Sequence, residues 1–128
     1  MKQREIKFRA WEDESEVMRY SNDMHLAEFF NYCEGWKIMQ YTGLKDKNGK
    51  EIYEGDIIEL GVEKKPAFFI YEVMWDFLGF NFRRKGTSNI IFPFKDDLGI
   101  YEWKKNFLQV EVIGNIYENP ELLKVKNV

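Results

Sequence analysis

Residues 39–58 read MQYTGLKDKNGKEIYEGDII, and the placing of their glycines decides the fold. Gly43, Gly49 and Gly55 each stand where a chain reversal needs a residue tolerant of unusual φ. Asp46, Asn48 and Asp56 can close those reversals with local side-chain hydrogen bonds. Asn48-Gly49 is the clearest hairpin signal in the chain, a pair that accepts positive φ in a tight turn. Glu54-Gly55-Asp56 supplies a second turn. The passage therefore predicts a double-turn β motif, entered by a strand over Trp36–Tyr41 and left by one over Ile57–Leu60.

Working outward toward the start, Ile6, Phe8 and Ala10 alternate with Lys7 and Arg9, the period of a half-buried strand. The acidic run Glu12, Asp13, Glu14, Glu16 reads as a solvated turn, and Val17–Tyr20 as the returning arm of a hairpin. The period then changes, because Leu26, Phe29, Phe30 and Cys33 fall at helical spacing. Ser21 or Asp23 is the expected N-cap and Gly35 the stop, which places one short helix near residues 22–33.

Working outward in the other direction, Gly61 ends a strand and Pro66 marks the end of a charged loop. Ala67–Trp75 is apolar on both faces, with Phe69, Tyr71, Val73 and Trp75 opposite Phe68, Ile70 and Met74. That pattern predicts a central or interface strand. Leu78-Gly79 turns it into Phe80–Arg84, and Asn89–Phe94 is a further strand that Pro93 assigns to an edge or a bulge. Residues 95–107 support no assignment, since Gly99 interrupts an otherwise helical spacing. Leu108, Val110 and Val112 alternate with Gln109 and Glu111 in a last strand running through Gly114 to Tyr117. Gly114 suits a bulge, and Asn119 can cap the terminal helical turn that Pro120 begins.

Short strands separated by turn residues predict a mainly β chain, a small antiparallel, partly open barrel of the Src-homology-3 kind. At 128 residues the chain can bury one core and reads as a single domain, 1–128. An aromatic content of 17% suits pleated surfaces. A net charge of -3 gives no global pull toward phosphate backbones. Cys33, the sole cysteine, cannot form an internal disulfide, which agrees with a reducing cytoplasm. MKQREIKFRAW lacks the apolar stretch of a signal peptide, and no segment has the length of a membrane span, so the expectation is a cytoplasmic protein with no membrane association.

Three passages, REIKFRAW at 4–11, MQYTGLKDKNGKEIYEGDII at 39–58 and VIGNIYENPELL at 112–123, resemble the YopX family. The resemblance implies a small, mostly β phage or prophage protein of low-GC Gram-positive bacteria and their viruses. It carries no established activity and no catalytic residues to transfer. Residues 62–107 match far less, and what is particular to this protein is expected there.

Each chemical motif dissolves on inspection. Gly43–Lys50 resembles a phosphate loop, but five residues separate its glycines and Glu51 stands where Ser or Thr should hold magnesium. Asp46, Asn48 and Gly49 suggest a calcium loop whose register then puts Leu44 first and Gly55 twelfth, neither able to coordinate. His25 and Cys33 lie two helical turns apart, too far for a dyad, and zinc lacks ligands. Carboxylates pair at Glu54 and Asp56 and at Asp96 and Asp97, and a carboxylate enzyme would need Glu54, Asp56 and Glu111 to converge in a cleft. Turn capping is the plainer role for such acids.

No catalytic, cofactor or metal residue is therefore expected, and the chain reads as a non-enzymatic accessory protein without a cofactor. It would bind a protein of phage or host, or associate with its own copies, through Phe68, Ile70 and Met74, a strand face that a small barrel would struggle to bury. The alternative is nucleic-acid binding by Phe80, Phe82, Arg83, Arg84 and Lys85, where rings could stack on bases and cations meet phosphates.

Overall fold

A computed structural model describes residues 5–22, 24–62, 65–76, 79–84, 90–93 and 108–123. Among these the chain is mainly β, with a single α-helix. The alternating N-terminal segment forms β1 (Phe8–Glu12), and β2 (Val17–Tyr20) returns along it as a hairpin. Helix α1 (Leu26–Tyr32) follows, then β3 (Lys37–Lys45), β4 (Glu51–Tyr53) and β5 (Asp56–Val62) from the double-turn passage. The remaining strands are β6 (Lys65–Asp76), β7 (Gly79–Arg84), β8 (Ile90–Pro93) and β9 (Leu108–Asn115), with a 3₁₀ turn at Pro120–Leu123.

The strands make two antiparallel sheets, one ordered β2-β1-β3-β4 and the other β8-β7-β6-β5-β9, the five-stranded one curled into a half-barrel. The second turn, Glu54-Gly55, carries the chain from the first sheet into the second. β6 is the central strand of its sheet, as its two-faced apolar pattern predicts, and Pro93 ends an edge strand. A register shift of β8 against Phe82–Arg83 adds the expected irregularity beside it. Pro66, by contrast, lies inside β6 and ends no loop. β9 stops at Asn115, short of Tyr117.

Gly43, Gly49 and Gly55 all have positive φ, at 88°, 84° and 87°. Their settings differ from one another. Gly49 alone takes the left-handed position in the hairpin, Asn48 staying at negative φ, and Gly43 sits within β3 where the register against β4 shifts between Tyr41 and Lys45. Gly55 closes the turn between the sheets, its N–H donating to the Val73 carbonyl while its own carbonyl accepts from Ile116.

The first sheet buries one side under α1, where Ala10, Phe29 and Cys33 form a core with Phe8, Met24 and Trp36 packed on it. The second core joins Ile52 of the β3–β4 hairpin to Ile58, Tyr71, Val73, Val110 and Val112 of the half-barrel. Helix α1 is shorter than the spacing suggests and begins without a side-chain cap after His25. Ser21 is engaged elsewhere, its hydroxyl accepting from the Phe8 amide at 3.0 Å. Asp23, the other expected cap, lies outside the described residues.

Candidate functional site

The two sheets meet around one buried cation. Arg9 points from β1 to the side opposite Phe8 and Ala10, where the alternation leaves it facing the second sheet, and it is 3% exposed. Its Nη2 lies 2.8 Å from Asp56 Oδ1 and donates to the Glu54 carbonyl at 3.2 Å, while its Nε donates to Met39 Sδ at 3.4 Å. The guanidinium lies 4.9 Å from the centre of the Tyr53 ring. Asp56 Oδ2 accepts from the Tyr53 amide at 2.7 Å, so both carboxylate oxygens are engaged. A buried charge needs such complete pairing to be tolerated at all. Burial lifts the Asp56 carboxyl above the usual carboxylate range, with Arg9 and the Tyr53 amide pulling against that lift.

Beside this pair the sheets leave a cleft of about 110 Å³, lined by Ile38 and Met39 of β3, Glu54 and Gly55 of the turn, Glu72–Met74 of β6, and Ile116 and Tyr117 after β9. Gly55 belongs to the packing as well as to the turn, because a Cβ there would come within 3.0 Å of Met39 Sδ. Tyr117 stacks on Trp11 with ring centres 5.8 Å apart, and Lys37 lies 5.3 Å over its ring. Lys37 also pairs with Asp13 at 3.1 Å, and Asp13 accepts from the Trp11 indole at 3.1 Å. These contacts build a rim of rings and charges on one side of the cleft.

The carboxylate of Glu54, a residue that lines the cleft, accepts one backbone bond, from Gln40 at 3.3 Å, and burial raises its pKa. Burial also raises the Tyr117 phenol, opposed by Lys37 and reinforced by Glu54, Asp13 and Glu72. The cleft is far smaller than the roughly 300–1,000 Å³ of small-molecule pockets. Its dimensions suit the end of one side chain.

The carboxylates of the candidate acid set part company. Asp56 is committed to Arg9, Glu54 faces the cleft, and Glu111 accepts from Asn48 Nδ2 at 3.1 Å on the hairpin. His25 is exposed and Cys33 is buried in the core under α1, its thiol raised by that burial. Among the described residues no three His, Cys, Asp or Glu gather as a metal site, and no helix is long and apolar enough to cross a membrane. Asp96, Asp97 and Lys85 lie outside the described residues, as do the side chains of Phe68, Phe80, Phe82, Arg83 and Arg84. Backbone register sets Phe82 opposite Val73 and Arg83 opposite Glu72. Ile70 and Met74 are half-buried, and Met74 reaches the cleft.

Three residues central to this region lie inside the passages that carry the family resemblance, yet belong to no motif of known chemistry. Arg9 reads as the polar phase of an amphipathic strand, Trp11 as one more strand aromatic, and Tyr117 as the tail of β9.

Fold and cleft together define a small two-sheet β protein with a side-chain-sized cleft at the sheet junction. The chain belongs to the YopX family, matching the YopX protein family over residues 7–124. Its fold resembles the crystal structure of protein EF1440 from Enterococcus faecalis, with a TM-score of 0.57, 29% identity, and coverage of 95% of this chain and 100% of that one. It also resembles the X-ray structure of protein yopX from Bacillus subtilis, with a TM-score of 0.55, 20% identity, and coverage of 92% and 98%. No curated protein matches the chain.

Proposed function

We propose that this protein is a non-enzymatic binding module that acts by docking onto a protein of phage or host, or onto its own copies, inside the bacterial cell. The observation that carries the reading is the outer row of the central strand. Tyr71 and Val73 are buried in the half-barrel core, while Ile70, Glu72 and Met74 on the other face are partly exposed. Two apolar side chains flanking an acid beside a cleft make the sort of surface that a partner completes. The separation of Asp56, Glu54 and Glu111 into three different tasks supports a binding role over carboxylate catalysis.

The nucleic-acid alternative draws less support. The net charge of -3 gives no general attraction to phosphate backbones. A low-salt titration with single-stranded oligonucleotide distinguishes the two readings, since phosphate contacts give an affinity that falls as salt rises. The docking reading is tested by sedimentation from low to high micromolar concentration, combined with capture of partners from phage-carrying cells. A strict monomer that captures no protein would remove the basis for it, and self-association abolished by Met74→Glu would sustain it.

A further inference from the structure

We propose that the cleft at the sheet junction is a socket for one basic side chain, lysine or arginine, presented by a partner protein. The inference rests on the docking reading and gives its contact a chemistry. Glu54 is half-buried, accepts a single backbone bond and makes no ion pair among the described residues. A desolvated carboxylate in that state gains from a cation brought to it, and an apolar occupant alone would leave its deficit in place. Met39 and Met74 offer thioether walls that adapt to an aliphatic stem, and long basic side chains bury the stem while the head seeks charge. The rim gives a worked example, because the chain's own Lys37 lies over Tyr117 and reaches Asp13.

Size and charge narrow the occupant further. A cleft of about 110 Å³ admits one side-chain end and excludes most cofactors. A metal ion would require ligands that do not gather in groups of three among the described residues. An acidic side chain would meet Glu54. A second copy of this chain carries the same net charge of -3, so charge complementarity favours a different, basic partner.

The test uses the full chain labelled for NMR, with a capped Gly-Lys-Gly peptide as probe and capped Gly-norleucine-Gly as control. The lysine peptide should shift the signals of Gly55, Tyr117 and the Met39 and Met74 methyls saturably, with a Kd on the order of millimolar. The norleucine peptide should bind at least tenfold more weakly. Added salt should weaken the lysine peptide and leave the control unchanged. E54Q, which keeps an acceptor for the Gln40 amide, should melt normally and lose roughly tenfold in affinity for the lysine peptide. Equal binding of the two peptides, or no shift at the cleft with the lysine peptide, overturns the socket. So do shifts of these same signals on raising protein concentration alone, which would identify a second copy as the occupant. Should E54Q capture its partner as well as the parent chain does, the socket fails while the docking function stands. Should no protein associate although the peptide binds, the docking function fails instead.

Discussion

Arg9 shows how much of this molecule depends on one side chain. It makes four contacts with Asp56, the Glu54 carbonyl, Met39 and Tyr53, drawn from three separate strands and the turn between sheets. Removing either member of a buried ion pair leaves the other charge desolvated, so R9M or D56N should each lose about 3–5 kcal/mol in urea unfolding. The double variant R9M/D56L removes both charges and should recover most of that loss, since apolar replacement of a buried pair is often close to neutral. Single losses below about 1 kcal/mol would show that the pair is not a keystone. Tyr53 gives the opposite case. Its hydroxyl is buried without a hydrogen-bond partner among the described residues, so Y53F removes an unmet polar group. That variant should be neutral or up to about 1 kcal/mol more stable by thermal melting. Neither role is legible in the sequence. Strand alternation assigns Arg9 to the face away from Phe8 and Ala10, but whether that face meets water or another sheet is decided by Asp56, far along the chain.

At the scale of elements, the glycine-and-asparagine landmarks were legible because each turn is a local event. The hairpin at 46–50 is organised by Asp46, whose Oδ1 accepts from Asn48 and Lys50 while its Oδ2 accepts from Val112 at 2.9 Å. The local bonds are a turn residue's ordinary behaviour. The bond to Val112 ties the hairpin to β9 and could not be read from spacing. D46A should therefore cost roughly 1–3 kcal/mol for the stranded Val112 amide alone. Hydrogen exchange should accelerate at Val112 as well as in the hairpin, and acceleration confined to 46–50 would contradict the tie. The bulge expected at Gly114 is present, with Ile57 opposite Gly114 and Ile58 opposite Val112. A Cβ on Gly114 would lie 2.5 Å from Asn119 Oδ1, which accepts from the Asn115 amide at 3.2 Å. Asn119 thus reaches back to β9 and does not cap the turn after it. G114A should cost about 1–3 kcal/mol and less in an N119G background, a coupling that a double-mutant cycle measures. The helix was legible only in part. Phe29 and Cys33 do pack inward at helical spacing, yet Ser21 is drawn away by β1, so the start falls at Leu26.

For the molecule as a whole, strand content was legible and strand partnership was not, because the pairing of β5 with β9 joins segments that no local pattern connects. The same arrangement sets how the fold answers to pH. Burial raises the phenols of Tyr41, Tyr53 and Tyr117, Tyr53 to about 12, and the hydrogen bonds that the Lys7 ammonium donates to Glu51 and Glu5 raise its pKa. All four have a folded pKa above the unfolded one. The unfolded chain therefore releases these protons first, and stability falls as pH climbs from about 10 through the folded values. Glu54 and Asp56, also raised by burial, carry the same sign near the acid end, so titrating these two does not drive unfolding in weak acid. The expected behaviour is cooperative alkaline unfolding between about pH 10 and 12, with phenolate absorbance and loss of circular dichroism rising together. Y53F should move the midpoint upward, because it deletes a phenol that burial raises to about 12. Complete phenolate formation near pH 10 with the sheets intact would show that water reaches all three rings, and with it that the two sheets do not close over Tyr53 and Tyr117 in solution.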